Sequence, residues 1–167
     1  MTRSAHAQPQ AVPDITAHMT LDALGMASPG PIPVIRKLLR TMNNGEVLRV
    51  TSDFPSCEGD LNVWALQTNN QILHIDRTVA QGFDFYILKG DPWPVNVSVD
   101  TKHAPCPTPV IKASKAMKEM RAGETLKLVT SCRAAVSEVD AWAKSMHLQL
   151  LGITEDFRGV YRFYVRK

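Results

Sequence analysis

The chain repeats itself at an offset of 78 residues, and no other feature constrains its fold as strongly. At that one spacing Asp22 matches Asp100, Pro29 matches Pro107, Pro31 matches Pro109, Lys37 matches Lys115 and Met42 matches Met120. Gly45-Glu46 likewise matches Gly123-Glu124, Leu48 matches Leu126, Trp64-Ala65 matches Trp142-Ala143, and Ile75 matches Ile153. A chain of 167 residues is compatible with one domain or two small ones. A tandem duplication decides for two units of roughly 75 residues each. Domains of that size are only marginally stable alone, so the two are expected to pack on each other. The expected organisation is a flexible N-terminal tail over residues 1–18, a first unit over 19–90 and a second over 95–167. Between the units, Gly90-Asp91-Pro92-Trp93-Pro94 cannot continue a β-ladder.

Within each copy the pattern runs strand, helix, strand, helix, strand, strand. In the second copy Val95, Val97 and Val99 alternate with Asn96, Ser98 and Asp100, the two-residue period of a half-buried strand. A helix is expected from Pro107 to about Met120, ended by Gly123, with a strand over Thr125 to Thr130. Ala135, Val136, Val139, Trp142, Ala143 and Met146 recur at three- and four-residue steps, one apolar face of a second helix. Strands over Leu148 to Thr154 and Val160 to Val165, joined by a turn at Glu155 to Gly159, complete the unit. The first copy follows the same plan. The fold class is therefore α/β: two tandem βαβαββ sandwiches, each a mixed four-stranded sheet with two helices on one face.

Against this duplicated frame, Cys106-Pro107-Thr108-Pro109 stands out, directly after the Val95 to Asp100 strand and directly before a helix. A thiolate at a helix start meets backbone N–H groups without intrahelical partners and the positive end of the helix dipole, which favours its charged, nucleophilic form. Pro107 and Pro109 have φ preset near a helical value and lack an N–H, leaving the donors of Thr108 and Val110 for the sulfur. The plainer reading is a helix opener whose cysteine packs as a small hydrophobe. The repeat argues against it. At the matching position the first copy carries Ser28, in Ser28-Pro29-Gly30-Pro31, so the fold and the thiol are separable within one molecule.

With strand order and motif together, each half resembles the TusA family of small sulfur-carrier proteins, in which a strand ending in Asp-x-x-Gly leads into Cys-Pro-x-Pro at the start of the first helix. Leu21-Asp22-Ala23-Leu24-Gly25 through Ser28-Pro29-Gly30-Pro31 follows that line apart from Ser28. Val99-Asp100-Thr101-Lys102-His103 through Cys106-Pro107-Thr108-Pro109 follows it apart from His103, where glycine is usual. The resemblance implies a two-layer sandwich and a cysteine, by position Cys106, that holds sulfane sulfur as a persulfide received from one protein and passed to another. The partners it implies are sulfur-donor and sulfur-acceptor proteins: a cysteine desulfurase, a rhodanese or DsrE-like carriers. Nucleic acid would be involved only indirectly, for instance where the pathway ends in tRNA thiolation, and no metal or organic cofactor is required.

The remaining candidates carry less. Cys132 could resolve an oxidised or persulfidated Cys106, but its match in the first copy is Phe54, and a partly buried turn residue is the expected role. Cys57 lacks the flanking prolines and reads as structural. His103 could handle a proton three residues before the thiol, although an idle loop histidine is the simpler reading. A metal site of His103, Cys106 and Cys132 matches no zinc spacing. Trp64 and Trp142 read as core anchors. In the first copy Pro33 would lie too deep in a helix begun at Ser28, so that helix should start later than its counterpart. No base plainly activates Ser28, and the first half reads as a docking or dimer-mimicking module. Lys102, Lys112, Lys115 and Lys118 surround the thiol in sequence and are candidates for docking an acidic partner. Residues 1–90 hold 7 Lys and Arg against 8 Asp and Glu, residues 91–167 hold 12 against 8, so net −1 and +4 make up the chain's +3.

The first twenty residues show no signal peptide, and no segment approaches the ~20 apolar residues of a membrane span. Three cysteines, an odd count without CxxC spacing, argue against a disulfide framework and fit a reducing cytoplasm. A second class of function remains compatible with these residues: a non-catalytic module that binds protein or RNA on the duplicated fold, with Cys106 incidental. Half the molecule having lost the motif favours it; the intact motif in its strand-to-helix setting favours the carrier.

Overall fold

The computed structural model of the chain describes residues 14–27, 29–77 and 80–167. The first unit runs β1 Met19–Asp22, α1 Ile32–Thr41, β2 Val47–Ser52, α2 Cys57–Gln67, β3 Gln71–Asp76 and β4 Phe83–Leu88. The second runs β5 Val97–Asp100, α3 Thr108–Glu119, β6 Thr125–Thr130, α4 Ala135–Ser145, β7 Gln149–Glu155 and β8 Tyr161–Arg166. Each unit has one four-stranded sheet, ordered β1-β2-β4-β3 and β5-β6-β8-β7. The first pair in each is parallel and the other two are antiparallel, so both sheets are mixed. Both helices of a unit pack on one sheet face. In the second unit Ala113 and Met117 of α3, Val139 and Trp142 of α4, and Leu126, Leu128, Phe163 and Val165 of the sheet form one core. Ile35, Leu39, Leu48, Val50, Leu61, Phe85 and Ile87 do the same in the first.

The repeated residues have repeated jobs. Gly45 and Gly123 adopt φ of 88° and 87°, a backbone region that other residues enter only at a cost. The Glu beside each folds its carboxylate back over the turn: Asn43 N–H donates to Glu46 Oε2 at 2.7 Å, and Arg121 N–H to Glu124 Oε2 at 2.8 Å. Lys89 and Lys167, also 78 apart, each bring an ammonium to the carbonyl that ends the first helix of their unit, Met42 O and Met120 O. There they satisfy orphan acceptors at the negative end of the helix dipole.

The units pack on each other, as domains of this size are expected to. Phe157, in the β7–β8 loop, packs on the core of the first unit, and its N–H donates to Ile72 O at 2.9 Å. Gln71 is buried between the units, accepting from Thr154 Oγ1 at 2.8 Å. At the seam Asp91 accepts from Tyr164 Oη at 2.8 Å, Lys127 Nζ at 2.9 Å and Asn69 Nδ2 at 2.6 Å. The Trp93 ring lies over Gly152 and against Tyr164, where any Cβ at 152 would collide with it. The last residues assigned to the N-terminal tail are tied down: Ile15 packs on Val47, Tyr86 and Leu88, and His18 N–H donates to Val47 O at 2.8 Å.

Strand and helix limits fall within two residues of those expected, with one informative difference between the copies. Thr108, the first residue of α3, corresponds to Gly30, yet α1 starts at Ile32. The first-copy helix does start later, and Pro33 then sits in its first turn, where its missing N–H costs nothing.

Candidate functional site

The site lies where two adjacent parallel strands end. β5 and β6 pair in parallel, from Val97 with Leu126 to Asp100 with Val129, so the loops leaving them emerge side by side. The pairing extends one step beyond β5, where Thr101 donates to Val129 O through its N–H at 2.7 Å and its hydroxyl at 2.8 Å. Chain ends of this kind, at the carboxyl edge of parallel strands, are where α/β folds place their chemistry.

The first loop begins with an Asx turn that both copies share: Lys102 N–H donates to Asp100 Oδ1 at 3.0 Å, as Leu24 N–H does to Asp22 Oδ1 at 3.1 Å. Lys102 Nζ lies 3.0 Å from Asp100 Oδ2. Burial pushes the Asp100 carboxyl upward, but the hydrogen bonds and charge of Lys102 outweigh it and hold the group below the usual carboxylate range. Lys102 therefore closes the loop as well as adding charge. His103 is exposed and lines a shallow recess of about 480 Å³ with Asp100, Lys102 and Lys112. Lys112, Lys115 and Lys118 are all exposed along α3.

Cys106 follows on this loop, exposed, two residues before α3. Its peptide bond to Pro107 is cis. The expectation that Thr108 and Val110 both hold donors ready for the sulfur needs correction at Thr108, whose N–H donates to Pro105 O at 3.0 Å and closes the turn that presents the cysteine. Val110 is half-buried and packs against the core, and Pro109 is buried.

The second loop carries Cys132. It is the half-buried turn residue expected, its N–H held by Thr130 Oγ1 at 3.1 Å, but it also forms a disulfide with Cys106. Their Cα atoms are 6.4 Å apart, within the span such bonds require. One pair is not a framework, but the pairing is the alternative the sequence ranked below a plain turn residue: an odd count leaves room for one pair and one free thiol. The free thiol is Cys57, fully buried in the first core, where burial pushes its pKa up, as befits a structural cysteine.

A third side chain completes the cluster. A Glu138 carboxylate oxygen, from the first turn of α4, lies within 4.8 Å of both sulfurs. Glu138 Oε2 is buried and has no hydrogen-bond partner among the described residues. His103 is not part of this group, so the structure does not assemble His103, Cys106 and Cys132. Sequence reasoning passed over Glu138 altogether. Recognising that β5 and β6 run parallel and adjacent would have brought the loop before α4 to the thiol.

The first copy lacks both sulfurs. Ser28 lies outside the described residues, and Phe54 holds the place of Cys132, with the same turn: Phe54 N–H donates to Ser52 Oγ at 3.2 Å. The Phe54 ring packs 2.9 Å from where a Cβ would stand on Gly30, which has φ of 74°. Pro29 is exposed and Pro31 buried at the start of α1. Trp64 and Trp142 pack on their respective cores, as anchors would. Among the described residues no helix is long and apolar enough to cross a membrane.

Comparison with known proteins agrees with the duplication. The family model for the sulfurtransferase TusA matches twice, over residues 19–89 and 97–167. The candidate sulfur carrier YrkF of Bacillus subtilis is 35% identical over 71 residues, 42% of this chain and 38% of that protein. A candidate sulfur carrier of Halobacterium salinarum is 33% identical over 73 residues, 44% of this chain and 90% of that protein. The chain thus spans little more than a third of the Bacillus protein and nearly all of the archaeal one. Two family matches at the repeat's own spacing, each covering a complete sheet with its two helices, show that the chain belongs to the TusA family as a tandem duplication.

Proposed function

We propose that the chain is a sulfur carrier that holds sulfane sulfur as a persulfide on Cys106 and relays it between protein thiols. The observation that carries this reading is the exposed Cys106 at the start of α3, in the copy that retains the motif. In its reduced state the Cys106 thiolate attacks a donor's sulfane sulfur, keeps it as Cys–S–SH, and yields it to an acceptor thiolate. Backbone dipoles at the α3 terminus favour the anion at each stage. The disulfide with Cys132 is the oxidised form, so the carrier acts where reductants return both thiols, as in the cytoplasm. Donor and acceptor are proteins with reactive cysteines, of the cysteine desulfurase, rhodanese or DsrE-like kinds that the family implies. The first unit, with neither sulfur, serves as a docking module.

The test is intact-protein mass measurement after the reduced chain is exposed to a persulfide-generating cysteine desulfurase. One added sulfur per chain in Cys132→Ser, absent in Cys106→Ser, supports the reading. Undiminished loading of Cys106→Ser would refute the assignment to Cys106, and no loading of Cys132→Ser would leave the duplicated fold as a binding module.

A further inference from the structure

We propose that Cys132 resolves the persulfide on Cys106, so that the protein also releases sulfane sulfur as hydrogen sulfide when no acceptor takes it. The inference rests on the reading of Cys106 as the carrier and adds a second fate for its sulfur. Three observations converge on it. Cys132 reaches Cys106 with the backbone as it stands, since the two are disulfide-bonded with Cα atoms 6.4 Å apart. The two cysteines are lost together in the first copy, where Ser28 and Phe54 occupy their positions. Glu138 is differently placed from its own counterpart. Asp60 in the first copy is held by Ser56 Oγ at 2.6 Å, whereas the residue matching Ser56 is Ala134, and Glu138 Oε2 is left buried and unpartnered with the carboxylate beside the sulfurs. A buried carboxylate oxygen without a partner is costly to keep unless it has a proton to accept.

The reaction balances within the protein. Cys132 gives its thiol proton to Glu138, and its sulfur attacks the inner sulfur of the Cys106 persulfide. A new S–S bond forms between Cys106 and Cys132, while the bond to the terminal sulfur breaks and that sulfur leaves with the electron pair as HS⁻. Glu138 returns the proton, giving H₂S. The sulfane sulfur is reduced, and the two cysteines are left oxidised as a disulfide. A dithiol reductant, itself becoming a disulfide, restores both thiols.

The experiment uses the full chain, reduced, freed of reductant without oxygen, and loaded briefly with inorganic polysulfide. Sulfide release and the protein's mass are followed after excess donor is removed. Wild type is expected to release about one sulfide per persulfide and to end two hydrogens lighter than the dithiol form, with peptides of Cys106 and Cys132 joined. Cys132→Ser, checked against Cys132→Ala, should load equally and hold its persulfide at least about tenfold longer. Glu138→Gln should load normally but release roughly tenfold more slowly, with Glu138→Asp recovering part of the rate. A wild-type persulfide as long-lived as that of both Cys132 variants overturns the inference while the carrier reading stands. Release from Glu138→Gln at the wild-type rate overturns the part given to the carboxylate. Failure of every variant to load overturns the carrier reading and this inference with it.

Discussion

Two positions of the repeat separate the halves chemically: 106 against 28, and 132 against 54. Cys106 was legible in the sequence because its signal is local, a cysteine between a strand and a proline-opened helix. The pairing with Cys132 was legible only as the lesser option, because it is set by strand adjacency, and the Phe54 at the matching position pointed away from it. Glu138 was invisible for the same reason; nothing in its own helix marks it. The contrast at position 28 predicts that Ser28→Cys folds but loads sulfur at least about tenfold less than Cys106 under identical exposure to polysulfide. The introduced thiol would lie four residues before α1 rather than two residues before α3. Equal loading at both thiols, read by peptide mass, would show the two helix starts to be equivalent.

At the scale of elements, period-two alternation located the strands, and three- and four-residue spacing located the helices, because each element has one face on a core. Val97 and Val99 are half-buried while Ser98 and Asp100 are exposed, as that alternation requires. The lysine caps escaped notice, since Lys89 and Lys167 act on helices 47 residues away in sequence. On α3 the exposed row Lys112, Lys115 and Lys118 continues the basic surface begun by Lys102, and we propose that it guides acidic partners to the thiol. Steering of this kind acts on association rate and fades as salt shortens the screening length to about 8 Å at physiological ionic strength. Reversing Lys112 and Lys115 to Glu should slow sulfur transfer to an acidic protein acceptor while loading from polysulfide is unchanged. Transfer rates indifferent to both the substitution and a salt series would leave the lysines as ordinary surface.

Across the whole molecule, the duplication and the mixed sheets could be read from the repeat, whereas the interface between units could not, because equivalent residues are put to different use in the two copies. Lys127 and Tyr164 meet at Asp91, while the corresponding Arg49 and Tyr86 belong to a face where Arg49 pairs with Asp84. Burial raises the Asp91 carboxyl, but hydrogen bonds from Asn69, Lys127 and Tyr164 and the Lys127 charge outweigh it, so its folded pKa is lowered. A lowered carboxyl pKa contributes stability that is present above the unfolded value of about 3.9 and is lost as pH falls through the folded one. Asp91→Ala should cost about 3 kcal/mol in denaturant unfolding at neutral pH, and the loss should shrink at acid pH. A cost independent of pH would argue that the carboxylate is not what ties the seam. Above the interface stands the proposed division of labour between copies, in which only the second unit carries sulfane sulfur. The measurement that tests it most directly is peptide-resolved mass analysis of the Cys132→Ser protein, loaded with polysulfide and alkylated. The predicted result is one added sulfur on the peptide containing Cys106 and none on that containing Cys57, with no addition anywhere in Cys106→Ser; sulfur found on Cys57, or on no peptide at all, would contradict it.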